Sequence, residues 1–265
     1  MLGALRDAAG DLLLDLHTDA HHNRCVLTLC SGRTDRDELG AIRSAIAARI
    51  EVVARTAVAK VDLREHRGVH PRLGSLDVVP FVSLRRDASN RVCDGPIEEA
   101  LEARAEFMTW AAAELGLPCF AYGPERSLPE VRRRAFSDLR PDAGPPEPHP
   151  TAGSCAVGAR PILVAYNLWI SGGPELALSI ARDVRGPTVR ALGLSVGRGV
   201  QVSVNLLDPF RTGPVQVYDR VAVLAEEAGA GIERAELVGL VPMKVLADSP
   251  AHRLAELGLN EEHTI

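Results

Sequence analysis

The feature of the sequence that most restricts its fold is an alternation of short apolar runs with longer segments of helical periodicity. Apolar runs such as residues 25–30, 78–82 and 118–122 have the length and composition of strands. Residues 37–60 repeat apolar side chains every three or four positions, which indicates a helix with one apolar face. Strands that alternate with helices of this length predict an α/β (α+β) fold, in which the helices cover a sheet.

The pattern divides into two halves of similar content, separated by a proline-rich stretch. Residues 141–150 contain five prolines, which neither a helix nor a central strand would tolerate, so we expect a linker or a binding loop there. Residues 132–134 are expected to be solvated charge. The other predicted elements are a weak helix over 1–10, strands over 11–16, 161–166, 189–196, 200–204 and 236–240, and helices over 96–115, 175–184, 214–228 and 243–257. Thr34 or Asp35 would cap the helix over 37–60.

Composition excludes several classes of protein. The 265 residues are 46% hydrophobic and 25% charged, as in ordinary soluble globular proteins. The net charge of −5 is spread along the chain, so no basic stripe predicts a nucleic-acid partner. No apolar run is long enough to predict a membrane partner, and the acidic start lacks the apolar core of a secretory signal, so we expect a cytoplasmic protein. The five cysteines are expected to be free thiols.

The segment from Lys60 to Ser83 concentrates ionisable groups in front of an apolar strand. It holds two histidines, three arginines and two aspartates, and Gly68, Pro71 and Gly74 prevent a continuous helix. Because a polar loop that enters a buried strand is a common setting for binding and catalysis, His70 is our first candidate for a catalytic residue.

The residues DLREHRGVHPRLGSLDVVPF within this segment follow a known pattern, Asp-x-x-x-His-x-Gly-Glu-His-Pro-Arg-Met-Gly-Ala-x-Asp-Val-x-Pro-Phe. In this respect the chain resembles the glutamate formimidoyltransferases (formiminotransferases), which are folate enzymes of histidine breakdown. The second histidine of the pattern is the family's catalytic residue and corresponds to His70. The resemblance implies transfer of a formimidoyl group from N-formimidoyl-L-glutamate to tetrahydrofolate, the co-substrate, with His70 as general acid and base.

Further blocks extend the resemblance from Leu12 to Val245, namely LLDLHTDAHHNRCVLT, PDAGPPEPHPTAGSCAVGARPILVAYN, QVSVNLLD and AELVGLVPMKVL. It implies two ferredoxin-like subdomains, residues 1–160 and 161–265, with helices on mixed or antiparallel sheets, a substrate cleft between them and a homodimer. Residues 144–153 correspond to the family's folate loop. The residues implied in substrate or folate binding are Asp15, His17, Asn23, Arg72, Asp77, Gly144, Pro145, Pro150, Gly153, Gln201 and Asn205.

The chain also departs from the family pattern. It begins about two dozen residues later, so we expect a first subdomain that lacks the strand ending in Asn-Phe-Ser-x-Gly. The family has an aspartate where this chain has His17 and a glutamate where it has Val69. Because a cationic amidine is stabilised by nearby carboxylates, these two replacements bear directly on activity.

The chemistry requires one amine to attack an amidine carbon while another amine leaves. An imidazole can move the proton between them, because its ordinary pKa lies near working pH. Asp15, Asp62 and Asp77 remain as acids, and Arg72 could pair with a substrate carboxylate. Each of these residues could instead form a structural ion pair.

Three alternatives stay open at this point. The chain could be a catalytically impaired folate-binding relative, or a transferase that acts on a different amine. A metal site is a third possibility, from the histidines at positions 17, 21, 22, 66 and 70, but Gly68 and Pro71 separate His66 from His70 and so oppose a shared helix face. Residues 193–199 lack the lysine of a phosphate-binding loop and the glycine spacing of a dinucleotide-binding fold.

Overall fold

The structure, a computed structural model, describes all residues except 32–38, 69–70 and 198, and describes residues 39–44 without their side chains. The described residues form seven α-helices and eleven strands in two compact units. The first unit comprises residues 1–18, 23–83 and 95–160, and the second comprises residues 19–22, 84–94 and 161–265. The predicted mixed α+β class is confirmed. The predicted helix caps Thr34 and Asp35 lie outside the described residues.

In chain order the helices are α1 (Leu2–Ala9), α2 (Leu39–Lys60), α3 (Ile97–Leu115), α4 (Leu128–Arg134), α5 (Pro174–Asp183), α6 (Pro214–Glu227) and α7 (Met243–Ala247). The strands are β1 (Leu13–Asp19), β2 (Arg24–Leu29), β3 (Val78–Phe81), β4 (Leu84–Arg86), β5 (Val92–Asp94), β6 (Cys119–Tyr122), β7 (Cys155–Ala159), β8 (Val164–Ile170), β9 (Val189–Val196), β10 (Gly199–Leu206) and β11 (Ile232–Val238). Among the described residues, no helix has the length and apolar character needed to cross a membrane.

The first unit contains a parallel three-stranded sheet with β7 at its centre. The strand order is β3-β7-β6, and Cys155 of β7 lies opposite Cys119 of β6. Sequence analysis did not predict β7, because CAVGA begins only five residues after the last proline of the proline-rich stretch and shows no alternation of apolar and polar residues. All five residues of β7 are buried, as expected for a strand covered on both faces.

Helices cover both faces of this sheet. Val79, Cys119, Cys155 and Val157 pack in one apolar cluster with Phe107 and Met108 of α3, and Ala54 of α2 belongs to the same cluster. On the opposite face, Phe120, Tyr122 and Ala156 pack with Val131 of α4. A smaller cluster joins α1 and α2 to the two-stranded sheet of β1 and β2.

Helix α4 corrects part of the prediction that residues 132–134 are solvated charge, because Arg132 and Arg134 are half-buried whereas Arg133 is exposed. Ser127 caps the helix by accepting a hydrogen bond from the backbone N–H of Glu130, and Val131 is fully buried. The pattern Ser-x-x-Glu is a helix-start motif that sequence analysis overlooked. The charged residues that follow therefore lie in an anchored helix.

The second unit has the ferredoxin-like topology that the resemblance implies. Its elements follow one another as β8-α5-β9-β10-α6-β11, and its sheet has the order β11-β8-β10-β9 with every neighbouring pair antiparallel. Alternate residues of β10, Val200, Val202, Val204 and Leu206, face a core shared with α5 and α6. A Cβ at Gly193 of β9 would lie 2.4 Å from the backbone nitrogen of Leu178, so α5 packs directly on the strand backbone. The described strands of the first unit are arranged differently, as a parallel trio and a separate pair.

Two further predictions differ from the structure, and one hairpin was missed. The last strand lies at Ile232–Val238, earlier than residues 236–240. The predicted helix over 243–257 ends at Ala247, because Pro250 follows closely and cannot continue it. The β4–β5 hairpin was not predicted. It belongs to the second unit, where the backbone N–H of Ile162 donates to Asp94 at 2.6 Å.

Candidate functional site

The structure brings the segment after His70 against the proline-rich loop. The backbone N–H of Ser75 donates to the carbonyl of Ala152 at 2.9 Å, and that of Ser154 donates to the carbonyl of Leu73 at 3.0 Å. These segments lead into β3 and β7, which are parallel neighbours, so both loops lie at the amino ends of their strands. The two stretches that sequence analysis singled out separately are therefore parts of one feature, which we call the paired loops (residues 71–77 and 149–154).

Two glycines make this pairing possible. A Cβ at Gly74 would lie 1.9 Å from the carbonyl oxygen of Ser154, and a Cβ at Gly153 would lie 2.3 Å from that of Leu73. Gly153 also has a φ of 70°, a conformation that L side chains rarely adopt. Gly153 is one of the residues predicted to belong to the folate loop, and its contacts show the local reason for a glycine there.

His70 and Val69 lie outside the described residues, but the structure describes the residues on either side of them. Arg72 contacts the imidazole of His66 through its Nη1 atom, and both side chains are half-buried. Asn23 has a φ of 48° and donates from Nδ2 to the carbonyl of Arg67 at 2.7 Å. The turn between β1 and β2 is therefore tied to the loop that contains the predicted catalytic histidine.

Asp77 is engaged in an ion pair. Its Oδ2 accepts a hydrogen bond from Arg132 Nη2 at 2.6 Å, and its Oδ1 accepts one from the backbone N–H of Leu73, also at 2.6 Å. Asp62 is similarly paired with Arg64, whose side-chain hydrogen bond lowers the pKa of Asp62 below its ordinary value. Of the three candidate acids, these two are occupied by neighbours within the protein.

Asp15, the third candidate acid, is available. Its Oδ2 is buried and has no hydrogen-bond partner among the described residues. His17 lies two positions further along β1, so the two side chains share a face of the strand. At the end of β1, burial of Asp19 opposes ionisation, but hydrogen bonds from the backbone N–H groups of His22 and His21 outweigh it and lower the pKa of Asp19.

The predicted folate loop is anchored at both ends. Asp142, just before it, accepts two hydrogen bonds from Arg126 at 2.9 Å and one from the backbone N–H of Ala121. At the other end, Nδ1 of His149 accepts a hydrogen bond from the backbone N–H of Ala152 at 3.0 Å. Between these anchors Gly144 has a φ of 89°, and Gly144, Pro145 and Pro150 are exposed. The loop therefore presents an exposed surface on a fixed frame.

The two predicted residues of the second unit lie on β10 and differ sharply in environment. Gln201 is fully buried, and neither its amide nitrogen nor its amide oxygen has a partner among the described residues, whereas Asn205 is exposed. Beside Gln201 on β8 lies Trp169, whose Nε1 donates to Glu236 at 3.3 Å and whose ring stacks with Arg234. Sequence analysis missed Trp169 and Glu236, because no motif contains them.

Among the described residues, no group of three or more histidine, cysteine, aspartate or glutamate side chains is arranged to hold a metal ion. Two histidines of the metal alternative have other neighbours. His66 contacts Arg72, and the ring of His21 lies so near Gly197 that a Cβ there would be 3.0 Å from it.

The fold and the paired loops define an α+β protein that has a ferredoxin-like unit and a polar loop site at the amino ends of a parallel sheet. The chain belongs to the formiminotransferase domain family. Residues 2–160 match the family model for the N-terminal subdomain of the formiminotransferase domain, and residues 165–264 match the model for the formiminotransferase domain.

Named relatives agree with this assignment. The chain is 31% identical to the glutamate formimidoyltransferase of Streptococcus pyogenes serotype M1 over 271 residues, which cover 94% of this chain and 85% of the relative. It is 30% identical to the formimidoyltransferase-cyclodeaminase of Dictyostelium discoideum over 284 residues, covering 97% and 50% of the two chains. The chain thus spans about half the length of that relative and of the pig formimidoyltransferase-cyclodeaminase.

Proposed function

We propose that this chain transfers a formimidoyl group from N-formimidoyl-L-glutamate to tetrahydrofolate. The observation that carries the proposal is the pairing of residues 71–77 with 149–154, which joins the segment following His70 to the loop assigned to folate. Membership in the family and the 31% identity to a glutamate formimidoyltransferase that the chain covers almost fully support the same reaction.

In the proposed mechanism His70 moves one proton. The N5 amine of tetrahydrofolate attacks the amidine carbon and forms a carbon–nitrogen bond. His70 takes the proton from N5 and gives it to the glutamate nitrogen, whose bond to the same carbon then breaks. Imidazole suits both steps because it can accept and donate a proton near neutral pH.

Asp15 and Gln201 are two proposed binding residues that have buried polar atoms without a partner among the described residues. The partnerless carboxylate oxygen of Asp15 suits the cationic amidine, since opposite charge stabilises it. The amide of Gln201 offers an NH2 group that donates and a carbonyl oxygen that accepts, which suits the pterin ring of a folate. We retain His17, Asn23, Arg72, Gly144, Pro145, Pro150, Gly153 and Asn205 as proposed contacts or as parts of the frame that positions them.

A kinetic comparison of two histidine variants tests this function. His70→Ala should lower kcat for formimidoyl transfer by roughly 10²- to 10⁴-fold, as expected when a general acid and base is removed. His252→Ala removes an exposed histidine of the second unit and serves as the matched control. Folate affinity, measured by isothermal titration with 5-formyltetrahydrofolate, should change little in either variant. Full transfer by His70→Ala contradicts the mechanism.

We further propose a division into residues 1–160 and 161–265, supported by the extents of the two family matches. A homodimer is proposed from the family resemblance, and light scattering of the purified protein tests it. A reducing cytoplasmic compartment is supported by the five cysteines, all of which are free thiols.

A further inference from the structure

One arginine of α4 reaches both ends of the loop that follows His70. Arg132 Nη1 donates to the carbonyl oxygen of Pro71 at 2.6 Å, and its Nη2 donates to Oδ2 of Asp77 at the same distance. Asp77 in turn accepts from the backbone N–H of Leu73. A single guanidinium group therefore joins the first and last residues of the 71–77 loop.

Buried apolar contacts hold α4, the helix that carries Arg132, against the rest of its unit. Val131 is fully buried and packs in a cluster that includes Leu73 and Val78, on either side of Asp77 in the chain. The Arg132 side chain is 17% exposed and that of Asp77 is 23% exposed. Charge-assisted hydrogen bonds that are largely shielded from water hold their geometry better than exposed ion pairs.

We propose that Arg132 is a positioning residue for His70. Pro71 follows His70 directly in the sequence, and Arg132 holds the carbonyl oxygen of Pro71, so the guanidinium group fixes the first described residue after the histidine. Arg132 then acts through the loop, with no contact to the reacting atoms. This inference rests on the proposed function and adds to it a residue of a helix outside the family signature.

The test compares neighbouring arginines of the same helix. Arg132→Ala should lower kcat by about 10- to 100-fold with little change in KM, because a small misplacement of a catalytic group slows the chemical step. Arg132→Lys should be intermediate, since an ammonium group lacks the guanidinium fork that spans two acceptors. Arg133→Ala removes the same charge from an exposed neighbouring position and should leave kcat unchanged.

Two further measurements separate positioning from a general structural role. Guanidinium ion at millimolar concentration should restore part of the kcat of Arg132→Ala, at a temperature well below its Tm. The double variant His70→Ala/Arg132→Ala should be no slower than His70→Ala, because two residues that act as one unit are not additive. The proposal is overturned if the double variant is slower than His70→Ala by the full factor that Arg132→Ala causes in the wild type. It is also overturned if the loss of kcat in Arg132→Ala matches a loss of folded protein.

A spectroscopic measurement keeps this inference distinct from the proposed function. The imidazole resonances of His70, assigned by their loss in His70→Ala, should shift in Arg132→Ala and stay in place in Arg133→Ala. If the wild-type protein transfers no formimidoyl group, the proposed function fails, and the resonance shift still decides whether Arg132 positions His70. Unchanged His70 resonances in Arg132→Ala overturn the positioning role.

Discussion

Gln201 is a buried amide whose donor and acceptor both lack partners among the described residues. Leaving such groups unsatisfied costs on the order of 1 to 3 kcal/mol, so a bound polar ligand would offset a cost already present in the folded protein. Gln201→Leu should therefore preserve or raise stability while weakening 5-formyltetrahydrofolate binding by about tenfold or more.

Ser203→Ala is the matched control for that experiment, because Ser203 lies on the same strand and the same face, is half-buried, and is not a proposed folate contact. Urea unfolding gives the stability and isothermal titration gives the affinity of each variant. Unchanged folate affinity in Gln201→Leu removes this residue from the binding site.

A second prediction at the scale of single residues concerns the replacement of His17. It stands where the family has an aspartate, two positions from the partnerless Asp15 oxygen on β1. His17→Asp combined with Val69→Glu should raise kcat/KM for N-formimidoyl-L-glutamate, because added negative charge stabilises a cationic amidine. Steady-state kinetics with His21→Asp as a charge control checks this, and a lower kcat/KM after the reversion favours a different amine.

Among single residues, sequence analysis identified the residues that belong to contiguous motifs. Gly153 was predicted from the loop pattern, and its close contact with Leu73 and its positive φ explain why a glycine stands at this position. Arg132 and Trp169 were missed because their partners, Asp77 and Glu236, lie 55 and 67 positions away in the chain. Such pairings depend on how distant segments pack, which spacing in a sequence does not specify.

At the scale of elements, the paired loops pack so closely that the backbone at position 74 nearly touches the carbonyl oxygen of Ser154, and only glycine fits at that position. Gly74→Ala should destabilise the protein by about 1 to 3 kcal/mol, the usual cost of forcing an extra carbon into a packed site. It should also weaken folate binding, because the loop over 149–154 loses its partner. Gly231→Ala is the control, since a Cβ there would meet no atom within 4 Å.

Chemical denaturation and calorimetric titration measure these two effects. Stability and folate affinity that match the wild type in Gly74→Ala would mean that the pairing contributes to neither.

Elements with clear periodicity or caps, such as β9 and α3, were predictable from sequence, whereas β7 was not. In β7, a fully buried strand of small residues after a proline run, apolar and polar side chains do not alternate. The segment can be recognised as a strand only from its pairing with β3 and β6 in the folded protein.

At the scale of the whole molecule, two thiols couple stability to pH. Cys119 and Cys155 lie opposite each other in the parallel sheet, and both are fully buried. Burial raises the pKa of Cys119 from 9.0 to about 12 and raises that of Cys155 well above its ordinary value. Well below pH 9 both thiols are protonated in the folded and the unfolded chain, so they give stability no pH dependence there.

Above pH 9 the unfolded thiols ionise while the folded ones do not. Stability should therefore fall between pH 9 and 12, with each thiol contributing up to about 1.4 kcal/mol per pH unit. Urea unfolding at several pH values measures the slope. The double variant Cys119→Ala/Cys155→Ala should make the slope shallower, whereas Cys93→Ala, a half-buried position, should leave it unchanged. Equal slopes in all three proteins exclude the coupling.

The second unit draws two of its segments, residues 19–22 and 84–94, from the first half of the chain. Both segments leave the ribosome long before residues 161–265 have been translated. They therefore cannot pack against the strands and helices of their own unit until those residues have been synthesised. Domains that fold one after another during synthesis normally finish the amino-terminal one first. Here neither the early segments nor residues 161–265 alone contain the whole second unit, so that unit is completed only after residues 161–265 have been translated.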